Sequence, residues 1–239
     1  MKPIQNFFVV VISMIVFSGS AGAAKRSHDK AIVNSDSFIS GHPDLMFRMR
    51  GIEAYKKKHF IQAFVNFKRA AKFADKPSQG MMAEMLWKGE GVQADKIEAY
   101  VWMDIAAERS YPTMLLSREK MWSQLSESER IQAIAKGLEI YKYYGDDVAK
   151  VRLERVLRRA RNNVTGSRVG FVGALTVCLN PMACTLSVDG SQYYQDKFWK
   201  PEQYWQWQDI AWKSPRSGKV EVLPFEVIPN TKDRLIDKK

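Results

Sequence analysis

The chain has 239 residues, 46% of them hydrophobic and 12% aromatic, and a formal net charge of +11. This composition argues for a packed globular protein, long enough for one sizeable domain or for a solenoid with a small appended domain. Its three histidines (His28, His42 and His59) and two cysteines match no H-E-x-x-H, G-x-S-x-G or S-x-x-K motif, so no catalytic residue, metal, cofactor or small-molecule substrate is expected. Residues 1–24 read as an export signal. Lys2 supplies a positive start, Phe7 to Phe17 an apolar core, and Ser18 to Ala24 a run of small residues in which Ala21 and Ala23 fit the cleavage rule. Cleavage near Ala23 or Ala24 would place the mature chain in the periplasm or outside the cell. A retained anchor stays open as the alternative, because Phe7 to Ala24 is uncharged and approaches the ~18-residue lower limit for a membrane span.

Residues 25–44 are polar and read as a flexible lead-in. A helical-repeat domain is expected over 45–164, with repeats at about 45–77 and 78–111. In the second repeat, Gly89-Glu90-Gly91 is a turn whose glycines can take positive φ, and Asp95 is an N-cap acceptor for the next helix. Ala99, Met103, Ala106 and Ala107 then share one helix face. Ala63, Phe67, Ala70 and Ala71 repeat that face at an offset of 36 residues, within the range that signals a solenoid of helix pairs. A degenerate third hairpin and a basic helix fill 112–164. Pro112 opens its first helix, and Ser126-x-x-Glu129 is a capping box before the stripe Ile131, Ile134, Leu138 and Tyr141. From 165 the texture changes to glycines and short apolar runs, which suggests a small β-containing domain over 165–228 with a strand at 220–227. Residues 229–239 form a charged tail. The run Gly166 to Gly173 reads as a turn, since it lacks the Gly-Lys-Ser/Thr ending of a phosphate loop. The fold class is therefore mainly α, a short solenoid followed by a small mixed α+β unit.

The segment GEGVQADKIEAYVWMDIAAERS resembles the Sel-one-like repeat, a relative of the tetratricopeptide repeat. Gly89, Gly91, Val92, Asp95, Ala99, Trp102, Ala106 and Ala107 carry the resemblance. Met82-Ala83 and Leu86 depart from the family's Leu-Gly and Tyr in the first helix. The preceding unit, GIEAYKKKHFIQAFVNFKRAAK, keeps alanines and aromatics but lacks the glycine turn. Together the two units cover about a third of the chain. The resemblance implies a right-handed superhelix used for protein–protein contacts, and it brings no catalytic residues.

Several groups point to partners. Cys178 and Cys184 are an even pair in a chain that looks exported, which makes a disulfide the default, with a redox pair or zinc as alternatives. Arg155, Arg158 and Arg159 lie on a strongly basic helix. They read either as a solvated face or as a patch for an anionic polymer or membrane surface. Nucleic acid is disfavoured by the export signal and by the lack of a recognised binding module. Trp199, Trp205 and Trp212 crowd one short segment, packing against the solenoid while leaving at least one ring for a partner. The reading that results is a non-enzymatic envelope adaptor or regulator that binds another envelope protein. Direct binding of an anionic polymer or membrane is the rival, and an envelope hydrolase stands lowest.

Overall fold

The structure is a computed structural model that describes residues 29–165 and 175–213. The export signal, His28, the glycine run at 166–173, the expected strand at 220–227 and the charged tail lie outside the described residues. Helical residues 29–33 lead into α1 (Asp36–Gly41), whose Ser35 cap accepts from the Phe38 N–H. Two hairpins follow, α2 (Pro43–Lys56) with α3 (Phe60–Ala71), and α4 (Lys76–Lys88) with α5 (Lys96–Ala107). Next come α6 (Pro112–Ser123), α7 (Glu127–Tyr144) and the basic helix α8 (Asp146–Thr165). Beyond 175 lie an antiparallel pair, β1 (Thr176–Cys178) and β2 (Ser187–Asp189), with Val177 opposite Val188. Three helices finish the described chain: α9 (Gly190–Tyr193), α10 (Asp196–Trp199) and α11 (Pro201–Lys213). The fold is mainly α with a small two-stranded addition.

The repeat is visible in the backbone as well as in the side chains. Helices α3 and α5 begin and end at the same offset of 36 residues. Ala63, Phe67, Ala70 and Ala71 are buried, and so are Ala99, Met103, Ala106 and Ala107. These alanines let α3 and α5 lie close to α2 and α4, because a methyl is all that the interhelical gap admits. At the end of each unit the chain reverses through a left-handed residue, Ala74 at φ 59° and Ser110 at φ 57°, again 36 apart. Within the second hairpin Gly89 and Gly91 both sit at φ 73°, and a Cβ on Gly91 would meet the Phe60 carbonyl carbon at 2.5 Å. Glycine is required there for two reasons, its conformation and the backbone of α3 packed against it. Asp95 caps α5 by accepting from the Glu98 N–H.

Helices α6 and α7 depart from a third hairpin: both lie chiefly against α5 instead of along one another. The capping box at Ser126 and Glu129 forms. Of the stripe behind it Tyr141 packs inward beside Val101 and Ile105, whereas Ile131, Ile134 and Leu138 are 65%, 61% and 65% exposed. Ala133 and Gly137 face the core instead, because their small size lets α7 approach Val101 of α5.

The lead-in is not loose from residue 29 onward. Ile32, Phe38 and Leu45 are buried in one cluster with Val177, Leu179, Val188, Tyr193, Tyr194, Phe198 and Trp199. The apolar positions of 29–45 were masked by surrounding Ser, Asn and Asp residues, which serve as caps and turn formers here. The same cluster shows that the part after 164 has no core of its own among the described residues. It completes the core begun by the N-terminal helices, with Ala160 of α8 packed alongside. Cys178 and Cys184 form a disulfide across the β1–β2 connection, with Cα atoms 4.9 Å apart.

Two buried polar networks brace the solenoid. Lys76, at the start of α4, donates to the Ile105 carbonyl and to Glu108 at 2.9 and 2.6 Å and lies 3.0 Å from Asp146. Arg109 makes a bidentate pair with Asp146, at 2.6 and 2.9 Å, and also donates to the Ala74 carbonyl. Burial works to raise the Asp146 pKa, but the Arg109 hydrogen bonds and the Lys76 charge outweigh it and hold the carboxyl well below its ordinary range.

The second network centres on Asp44, which accepts from Tyr204 Oη at 2.5 Å, while Arg48 pairs with Asp75 at 2.7 Å. Burial and the nearby Asp75 charge push the Asp44 carboxyl up to about 7, against the opposing Tyr204 hydrogen bond and Arg48 charge. Its Oδ1 has no hydrogen-bond partner among the described residues, so the neutral acid is the better occupant of the site. An acid that ionises higher in the fold than in the open chain contributes stability that is complete below pH ~4 and is lost as pH rises toward 7. Asp44→Asn is therefore expected to flatten that decline and to unfold at higher urea than the parent at pH 8. Urea midpoints of both proteins from pH 4 to 8 check this, and parallel profiles would refute it.

Candidate binding groove

The first helices of the two hairpins, α2 and α4, and helix α6 share one side of the solenoid, and a groove of about 380 Å³ runs along it. Its walls are Arg48 and Ile52 of α2, Pro77, Gly80, Met81 and Glu84 of α4, and Thr113, Met114 and Ser117 of α6. Phe67 and Met103, from the second helices, form the floor, and Trp212 of α11 closes one end. Helix periodicity explains this arrangement: Gly80 and Glu84 are four residues apart, as are Pro77 and Met81 and also Thr113 and Ser117, so each helix lays one stripe on the wall. The lining is largely apolar. Arg48 is already held by Asp75, and Glu84 lies 3.4 Å from Lys88. Three methionines give it surfaces that adapt to differently shaped side chains.

The tryptophans do not act as one set. Trp199 is 1% exposed, its Nε1 donates to the Tyr193 carbonyl at 2.8 Å, and its ring packs on Phe38, His42, Tyr193 and Tyr194. It belongs to the core and is withdrawn as a partner contact. The reason is that α10 is a single turn wedged against α1, where a Cβ on Gly41 would lie 2.8 Å from the Trp199 ring. Trp205 is half-buried under two cations, Arg109 at 4.5 Å and Lys150 at 5.4 Å from its ring, and its Nε1 faces Glu154. It is engaged within the fold. Trp212, stacked at 6.2 Å on Tyr111, is the one that reaches the groove.

Arg155, Arg158 and Arg159 are exposed on α8. Arg158 lies 3.5 Å from Glu154, whereas Arg155 and Arg159 form no ion pair among the described residues. The repeat-signature residues occupy structural positions: Val92 packs against the main core, and Trp102 is buried with its ring 4.6 Å from Tyr144. Sequence reasoning missed Met81, Met114 and Ile52 as a wall. Their shared face becomes evident only once α2, α4 and α6 are set side by side.

Among the described residues, His42 is occupied within the fold. Both ring nitrogens of His42 face backbone carbonyls, of Phe38 at 2.7 Å and Phe198 at 2.9 Å, and burial drives its pKa down to about 4. No cluster of three or more His, Cys, Asp or Glu residues suited to a metal occurs among the described residues. No described helix is long and apolar enough to cross a membrane.

These features define a helical-hairpin repeat protein with the turn and packing that the Sel-one-like resemblance implies. No family model matches the chain, and no curated protein matches it. Among solved structures it is similar to a protective antigen present in uropathogenic Escherichia coli strains, described as displaying an SLR fold. The identity is 21% and the TM-score 0.35, over 40% of this chain and 21% of that one. The match thus spans about a fifth of that structure's length.

Proposed function

We propose that the protein is a non-enzymatic interaction module of the bacterial cell envelope, an adaptor or regulator that receives a segment of another envelope protein in its concave groove. The observation that carries this reading is the groove: an apolar, methionine-lined channel shared by three helices, whose charged rim groups are already paired within the fold. A peptide laid there gains apolar contact area without stripping water from an unpaired charge. Export is supported by the signal-like N-terminus and by the Cys178–Cys184 disulfide, which suits an oxidising compartment.

The exposed Arg155, Arg158 and Arg159 favour a second reading, attachment to an anionic envelope polymer or membrane surface. Crosslinking in intact cells separates the two. Met81→Glu is expected to abolish partner capture with little change in melting temperature, since Met81 is only half-buried and its loss removes a groove contact. An anchor residue of this kind is worth ~2 kcal/mol of binding, or about thirtyfold in affinity. Capture that survives Met81→Glu but is lost in an Arg155→Glu/Arg158→Glu/Arg159→Glu variant, and is weakened steeply by salt, would assign the function to the basic helix instead.

A further inference from the structure

Helix α7 covers one face of α5, and the 36-residue repeat carries the same face onto α3 without a cover. On α5 that face is Ile97, Val101 and Ile105, packed in one cluster with Ala133, Ile140 and Tyr141 of α7. Ala133 and Gly137, four residues apart, let the α7 backbone come close to Val101. One repeat earlier the first two of these side chains recur unchanged as Ile61 and Val65. No described element closes over them: Ile61 is 72% exposed and Val65 43%, against 1% for Val101. The space above them is a depression of about 690 Å³, lined by Phe60, Ile61, Gln62 and Val65 with Lys58 and Gly91 at its edge.

The charges differ between the two faces. Lys136 of α7 lies 2.9 Å from Asp95 and 2.8 Å from Glu98, and Tyr141 donates to Asp104 at 3.2 Å. At the equivalent positions α3 and its cap carry His59, Gln62 and Lys68 in place of those three acids. From Ala54 to Ala74 the charged side chains are Lys56, Lys57, Lys58, Lys68, Arg69 and Lys72, without one acid among them. Lys57 pairs with Glu53, whereas Lys58 and Lys68 are exposed and form no ion pair among the described residues. A basic face of this kind selects an acidic occupant.

We propose that the outer face of α3 is a second docking site, which receives an acidic amphipathic helix of a partner protein much as α5 receives α7. Small residues of that helix lie over Ile61 and Val65, and its carboxylates meet Lys58 and Lys68. Val65 and Phe67 are two residues apart on α3 and so point to opposite sides of it. Phe67 floors the groove, which puts the new site on the side of α3 away from it. The site does not depend on the groove being a binding site. A partner held there leaves the groove free, so one molecule can bridge two proteins.

The probe is a labelled synthetic peptide of residues 127–144 carrying Lys136→Glu and Tyr141→Glu, titrated into the full-length protein and followed by fluorescence anisotropy. Saturable binding is expected, roughly tenfold tighter or better than for the unchanged peptide, whose lysine would face a basic surface. Ile61→Glu and Val65→Glu should each weaken it roughly tenfold or more at an unchanged melting temperature, since both side chains are exposed. Lys68→Glu should narrow the gap between the two peptides. No saturable binding, equal affinity of the two peptides, or a gap that Lys68→Glu leaves unchanged would overturn the proposal. So would affinity untouched by Ile61→Glu and Val65→Glu, or binding lost in Met81→Glu, which would place the peptide in the groove. Sedimentation with phosphatidylglycerol vesicles that Ile61→Glu abolishes would assign the face to a membrane surface and overturn it as well.

Discussion

Ala106→Glu is expected to unfold the second hairpin or to lower the melting temperature severely. Ala106 is fully buried where α5 meets the first helices, in the cluster that also holds Met82, Met103 and Met114. A glutamate there must force its neighbours apart and desolvate a carboxylate inside an apolar cluster. Overpacking alone costs about 1–3 kcal/mol, and an unpaired buried carboxylate adds several more unless it takes up a proton. The loss should therefore be a large part of the ~5–15 kcal/mol that stabilises an ordinary domain. Ala135→Glu, on the exposed face of α7, is the control, expected to change stability by less than about 0.5 kcal/mol. Circular dichroism melts of the two variants decide the matter, and equal melts would mean that the repeat face at 99–107 does not hold the solenoid together.

Asp146→Ala should be comparably damaging through charge instead of volume. Lys76 has a side chain that is 0% exposed, and Arg109 is 7% exposed, so both are cut off from water when their shared acid is removed. Lys76 would keep Glu108 and the Ile105 carbonyl, but Arg109 would keep the Ala74 carbonyl, Tyr111 and the face of Trp205, none of which carries a full negative charge. Removing one partner from a buried ionic network typically costs ~3–5 kcal/mol, because uncompensated charge stays behind. Asp147→Ala, next in sequence and exposed, removes a helix N-terminal charge worth only ~0.3–1 kcal/mol. Chemical denaturation of both variants at pH 7 measures the difference. A similar small loss in each would show that the Lys76–Arg109–Asp146 network adds nothing to stability.

The parts of the fold legible in the sequence were those fixed by local chemistry. The offset of 36 between alanine faces, the glycine turn at 89–91, the Asp95 cap and the Ser126–Glu129 box each depend on residues within one helical turn or one repeat. Signals that depend on distant partners were not legible. Ala74 and Ser110 take left-handed conformations that their side chains do not advertise, since glycine is the usual marker of such a turn. Ile131, Ile134 and Leu138 have the spacing of a buried stripe, yet Ala133 and Gly137 won the inward face because close approach to Val101 mattered more than bulk. Trp199 looked like Trp212 on paper. What separated them is that one ends the single-turn helix α10, packed against α1, while the other lies in the last turn of α11 at the groove. As for the groove, the sequence pointed to Trp212, which lines it, but not to its methionine walls.

The joint core of Ile32, Phe38 and Leu45 with Tyr193, Phe198 and Trp199 also bears on how the molecule comes apart. In a simple stack of repeats each unit touches only its neighbours, so the outermost one can peel away while the rest persists. Here the His42 ring bonds the Phe198 carbonyl, and Asp44 of the first hairpin holds Tyr204 of α11. The first hairpin is thereby latched to the last described helices, and opening it requires breaking contacts between residues more than 150 positions apart. The array is thus closed into a single cooperative unit in which fraying from the N-terminal end is suppressed. The same latch delays assembly: the hairpins can form as the chain emerges, but the first of them gains its final lock only after the segment carrying Phe198 and Tyr204 has followed.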